Sequence, residues 1–139
     1  MKAKLCCTVF IALILATLAG CKRDAEINAA LGEIDSFTNE LVRLIKEAPK
    51  PTQGVDDAQQ YLDSRKREIK AKAYFLARTR GINASDETVK RLIETVRRDQ
   101  MTIVSLPSSS QFSNLIASDA VFKTKLDKLI NDYLELFQP

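Results

Sequence analysis

From Asp24 onward the apolar residues recur at steps of three and four, segment after segment, and any fold must satisfy that period. Between Asp24 and Ala48 the series is Ile27, Leu31, Ile34, Phe37, Leu41, Leu44, Ile45 and Ala48. Each helical residue turns the chain by about 100°, so this spacing gathers the series on one face of an α-helix. "PKPTQG" (49–54) ends that helix, because Pro49 cannot continue it. A second helix is expected from Asp56 or Asp57, with Val55, Ala58, Leu62, Ile69, Ala73 and Leu76 on one face. Gly81, after Arg78 and Arg80, suits the residue that closes a helix.

In "NASDETVKRLI", Ser85 is a good N-cap, with Asp86 and Glu87 favourable in the first turn. Val89, Leu92, Ile93, Val96 and Ile103 form the third stripe, with Gln100 inside it. "MTIVSL" (101–106) has strand character, but one strand alone has no partner. "LPSSSQF" breaks the chain, and Ser108 with Gln111 has the spacing of a capping box. A short helix through Leu115 and Ile116 then leads, after Ser118 and Asp119, into a last helix striped by Phe122, Leu126, Leu129, Ile130, Tyr133 and Phe137. Four amphipathic helices with short connections predict an all-α four-helix bundle. An elongated helical hairpin that forms a homodimer is the alternative.

The first twenty residues follow a different pattern. Lys2 and Lys4 precede an apolar run from Leu5, and the small residues of "ATLAG" (16–20) follow it. That is the three-part order of a secretory signal peptide. Leu5 to Gly20 is shorter than the roughly 20 residues a membrane-spanning helix requires. Leu18-Ala19-Gly20-Cys21 resembles the lipobox of bacterial lipoprotein precursors, a resemblance confined to the first 21 residues. It implies diacylglyceryl transfer to the Cys21 thiol, cleavage between Gly20 and Cys21, and an acylated Cys21 at the new N-terminus. The expected division is therefore a signal peptide over 1–20 and one helical domain over 21–139.

The other cysteines, Cys6 and Cys7, lie in the segment to be discarded, so the remaining chain keeps no free thiol once Cys21 is lipidated. More than one acyl chain makes such an anchor stable. Lys22 stands where lipoproteins kept at the inner membrane resemble one another in carrying Asp. The expected address is the cell envelope, on the periplasmic face of the outer membrane in a Gram-negative host. No long flexible tether follows Cys21, so the folded part should sit close to the bilayer.

Charge and composition narrow the function. Of 21 basic residues, removal of 1–20 takes Lys2 and Lys4 and leaves 19 against 18 acids, which gives no argument for nucleic acid. With no histidine and no free thiol, the usual nucleophile–base schemes and zinc sites have no residues to build them. No glycine-rich phosphate loop appears, and the acid pairs Glu33/Asp35 and Asp56/Asp57 have no distinctive spacing. Neither catalysis, a cofactor nor a metal is expected. The segment Arg65 to Arg80 holds seven basic residues and only Glu68 as an acid. On it, Tyr74 points almost opposite to the Leu62–Ile69–Ala73–Leu76 face and lies between Lys70 and Arg78. Exposed tyrosine beside cations suits a partner contact. Lys70, Tyr74 and Arg78 are thus the candidate partner surface. The expected function is a lipid-anchored helical adaptor or accessory subunit for another envelope protein. The alternative is a binding module for a small apolar or anionic envelope ligand.

Overall fold

The computed structural model describes residues 2–79 and 84–138, with side chains from Arg23 onward. The described residues are helical: α1 (Lys2–Glu47), α2 (Pro51–Thr79), α3 (Asp86–Val104), a 3-10 turn at Leu106–Ser108, α4 (Ser113–Ser118) and α5 (Ala120–Glu135). The Gly20–Cys21 cleavage position, the Cys21 lipid site and the Gly81 helix end lie outside the described side chains or backbone.

The direction of each helix follows from which residues meet. Glu33 of α1 pairs with Lys72 of α2 at 2.8 Å, while Gly54 abuts the carbonyls of Leu44 and Ile45. Late residues of one helix thus meet early residues of the other, and the two are antiparallel. The Ser85 N–H at the head of α3 donates to Asp24 Oδ1 at 3.0 Å, and Arg98 reaches Asp35, so α3 runs parallel to α1. Lys125 with Asp56 (2.6 Å) and Glu135 with Lys66 (3.7 Å) set α5 parallel to α2. Around the core the long helices follow in the order α1, α2, α5, α3, and the α3/α5 side is the narrowest contact.

The first two stripes are buried much as their periodicity requires. Ile27, Leu31, Ile34, Phe37, Leu41 and Ile45 face Val55, Ala58, Leu62, Ile69 and Leu76 in one core, which Phe122, Leu126, Leu129 and Tyr133 of α5 complete. Across the middle, Phe37 stacks on Tyr61 and Tyr133 with ring centroids 5.5 and 6.3 Å apart. The Tyr133 hydroxyl lies 2.7 Å from Thr38 Oγ1, and the Thr38 hydroxyl donates to the Ile34 carbonyl at 2.9 Å. Thr38 has one proton and directs it to Ile34, so Tyr133 is the donor between them. Burial pushes the Tyr133 phenol well above its ordinary pKa.

The helix ends depart from the sequence expectation in three places. The second helix begins at Pro51, not at Asp56 or Asp57: proline at the first helical position has no N–H to leave unmatched, and the Gly54 N–H closes the first turn onto the Lys50 carbonyl at 3.0 Å. Gly54 belongs inside the helix because a Cβ there would meet Ala48 Cβ and Leu44 O at 2.7 Å each. Its bare backbone lets α2 cross closely over the end of α1. The Ser108–Gln111 capping box does not form: α4 is preceded by Phe112 with no side-chain cap, and Gln111 Nε2 donates to the Lys46 carbonyl, closing the end of α1. Finally, Met101–Val104 is the last turn of α3 and no strand. Burial of Ile103 and Leu106 against the core overrides the local β preference.

The expected Ser85 cap is present, and the structure adds a second at Asp119. Ser85 Oγ accepts the Thr88 N–H at 3.2 Å, and Asp119 Oδ1 accepts those of Val121 and Phe122 at 3.0 and 2.9 Å. Asp24, receiving the Ser85 N–H, is held below its ordinary carboxyl pKa mainly by that bond.

Candidate functional site

Lys70, Tyr74 and Arg78 come together on one wall of a groove of about 690 Å³ on the outer flank of α2. Their spacing of four places them one turn apart, and Arg67, Ala71 and Ala77 fill the same strip. The strip is turned away from the Leu62–Ile69–Leu76 stripe that holds α2 to the core. Tyr74 is accordingly 56% exposed, the orientation its sequence position implied. The Arg78 guanidinium carbon lies 5.5 Å from the ring centroid, and Arg78 Nη1 donates to the Tyr74 hydroxyl at 3.3 Å. At an exposed position such a cation–π contact is worth about 0.5–1 kcal/mol. It is enough to bias the ring upright against α2, not enough to fold the protein.

The opposite wall comes from the end of α5. Leu136 is buried and Phe137 half-buried, and both line the groove. Phe137 packs on Tyr133 with centroids 5.3 Å apart, so the wall is fixed to the Tyr133–Thr38 bond in the core. Glu135 stands abreast of Lys66, where α5 ends, and α2 runs on for 13 residues from Arg67 to Thr79. The groove therefore begins where α2 loses α5 as a neighbour.

Its electrostatics differ from the rest of the helix. Arg65 pairs with Glu68, Lys66 with Glu135, and Lys72 with Glu33 and Glu68. Arg67, Lys70 and Arg78, all exposed and all lining the groove, have no acidic partner among the described residues, and no acid lines the groove with them. Small alanines form the floor, aliphatic and aromatic carbon one side, and uncompensated cations the rim. This lining is complementary in charge and polarity to an anionic group that carries apolar surface.

A second polar group lies inside the fold, where the sequence pattern placed surface. Asp99 on α3 is 2% exposed, whereas Gln100, the expected inward residue, is only half-buried. Ile93, expected in the stripe, is 50% exposed, and Thr88 is buried in its stead. The Ser85–Asp24 and Ser85–Thr88 bonds fix the rotation of α3 at its head and turn the 88–92–99–103 line inward. Asp99 Oδ1 accepts from Arg98 Nε and Nη2 at 3.1 and 3.0 Å, while Asp99 Oδ2 is buried without a partner among the described residues. Burial pushes the Asp99 carboxyl pKa up; Arg98 opposes that shift and Asp35 adds to it.

Arg65, at the border of the second stripe, is half-buried and bonded to Glu68. Among the described residues no cluster of three or more His, Cys, Asp or Glu side chains is placed to hold a metal ion. No described helix is long and apolar enough to cross a membrane. Comparison of the chain with protein-family models, curated proteins and solved structures finds no match.

Proposed function

We propose that this chain is a lipid-anchored cell-envelope protein whose four-helix bundle acts as an adaptor or accessory subunit, docking another envelope protein through the α2/α5 groove. Cleavage between Gly20 and Cys21 and acylation of Cys21 supply the anchor, and the periplasmic face of the outer membrane is the address in a Gram-negative host. The lipobox supports that half of the reading. The other half rests on a single observation: three cations without acidic partners among the described residues rim an apolar-floored groove that also presents an exposed, braced tyrosine. Arginine and tyrosine in a pocket that sheds water are the residues that dominate protein-binding energies.

The groove lies at the end of the bundle nearest the anchor. Thr79, at the end of α2, lines one small cleft with Ile27 of α1. Asp24 is three residues beyond Cys21, and three residues of fully extended chain reach no more than about 11 Å. A partner held there is recruited at the membrane surface.

Recovery of the tagged protein after crosslinking in intact envelopes tests the reading. The expected result is one protein partner in stoichiometric amount. The groove volume also falls in the range of small-molecule sites, about 300–1,000 Å³. Recovery of a lipid or glycan without a protein partner would therefore replace the adaptor reading with that of a ligand-binding module.

A further inference from the structure

Resting on that adaptor reading, we infer that the groove takes an acidic amphipathic helix of a second protein, laid along α2 where α5 ends. Three features of the site specify a helix. The groove-lining positions 67, 70, 71, 74, 77 and 78 repeat at threes and fours, which is the spacing of a helix-packing seam, and Ala73 of the core stripe borders it. Ala71 and Ala77 keep the seam low, so that another helix axis can approach to the usual 8–10 Å. The 13 residues of α2 beyond Lys66 extend about 20 Å, enough for three to four turns of a neighbour continuing the line of α5.

Charge identifies the face that such a helix presents. Arg67 and Arg78 are 11 residues apart, about 16 Å along the axis, with Lys70 between them. One phosphate headgroup meets one or two of these cations; carboxylates distributed along a helix meet all three. An apolar strip between those carboxylates covers Tyr74, the alanines and Phe137. A second copy of this chain fits the groove poorly. Four of the six acids on the described part of α1 already pair with cations, namely Glu33, Asp35, Glu40 and Glu47. The helices α3 and α5 carry equal numbers of acidic and basic residues.

The test places a photoreactive benzoylphenylalanine at Ala77, exposed within the groove, in the full-length protein in its own envelope. Mass spectrometry then identifies what it captures. The expected product is a segment of a different protein with at least three Asp or Glu in about 13 residues and apolar positions spaced by three and four. Its yield should fall at least tenfold when Lys70→Glu and Arg78→Glu are added. Both positions are exposed, and an unchanged circular dichroism spectrum of the variant shows that the fold is kept. The captured segment, made as a peptide, should bind the protein at least tenfold more weakly after Glu→Gln and Asp→Asn replacement. Capture of a protein segment without this pattern, or of a second copy, overturns the helix inference and leaves the adaptor reading standing. Capture of phospholipid alone overturns both, and no capture at Ala77 despite a co-purifying partner removes the groove as its site.

Discussion

Tyr74 and Asp99 show what a single position discloses. Tyr74 was legible because the core stripe of α2 is long and regular, so the angle of a residue opposite to it is well defined. Asp99 was not, since a rotation of one residue, about 100°, moves a side chain from one flank of a helix to another. The third stripe had few strong apolar anchors, and the contact that sets its phase comes from Asp24, 61 residues away. The buried residues yield two predictions. Tyr133→Phe removes a donor but leaves Thr38 its bond to Ile34, so it should cost about 1 kcal/mol. Thr38→Val strands a buried phenol and should cost more, about 1–3 kcal/mol, and the pair should be less than additive in denaturant titrations. Asp99 carries a pH dependence of definite sign. Its carboxyl binds its proton more tightly when folded than its ordinary value of 3.8 allows. The folded state thus holds more protons just above that value, and this group's contribution to stability falls as pH rises through the window. Asp99→Asn should remove that fall and raise the thermal midpoint at neutral pH. A lower midpoint there would mean that the Arg98 contact outweighs the burial of charge.

Among the helices, the ends were harder to read than the faces. Ser85 and Asp119 cap as their residue types predict, because a short side-chain acceptor before a helix acts locally. Pro51 and Gly54 look alike in sequence as chain breakers, yet their roles are set by where α2 meets α1. Gly54→Ala is a direct check. In an exposed helix the change gains up to about 1 kcal/mol, but here the added methyl is forced against Ala48 and the Leu44 carbonyl. Overpacking of this kind costs about 1–3 kcal/mol, so the variant should unfold at lower denaturant, and a gain in stability would show that the crossing relaxes freely. Gln111 followed the same logic in reverse. Its capping-box spacing was local, but the Lys46 carbonyl, far away in sequence, took its amide.

At the scale of the molecule, the all-helical class and the location of the cationic strip followed from periodicity and charge alone. What sequence could not supply was the second wall. Phe137 read as the end of a core stripe that did not include Leu136, and only the parallel packing of α5 on α2, halting abreast of Lys66, turns a charged flank into a groove. The anchor and the groove are proposed as separate devices, one for position and one for recognition. Cys21→Ser should leave an uncleaved precursor that carries no lipid, while the thermal midpoint of its folded part stays unchanged. A variant of mature mass still held in the membrane would contradict lipid attachment at that residue.

The central claim is that the groove recognises a protein partner independently of the anchor. Partner recovery from crosslinked envelopes, compared between the wild type and a Lys70→Glu/Arg78→Glu variant, tests it most directly. The account predicts that the variant remains in the membrane fraction at wild-type level and loses the partner at least tenfold. A folded, membrane-held variant that keeps its partner would contradict it.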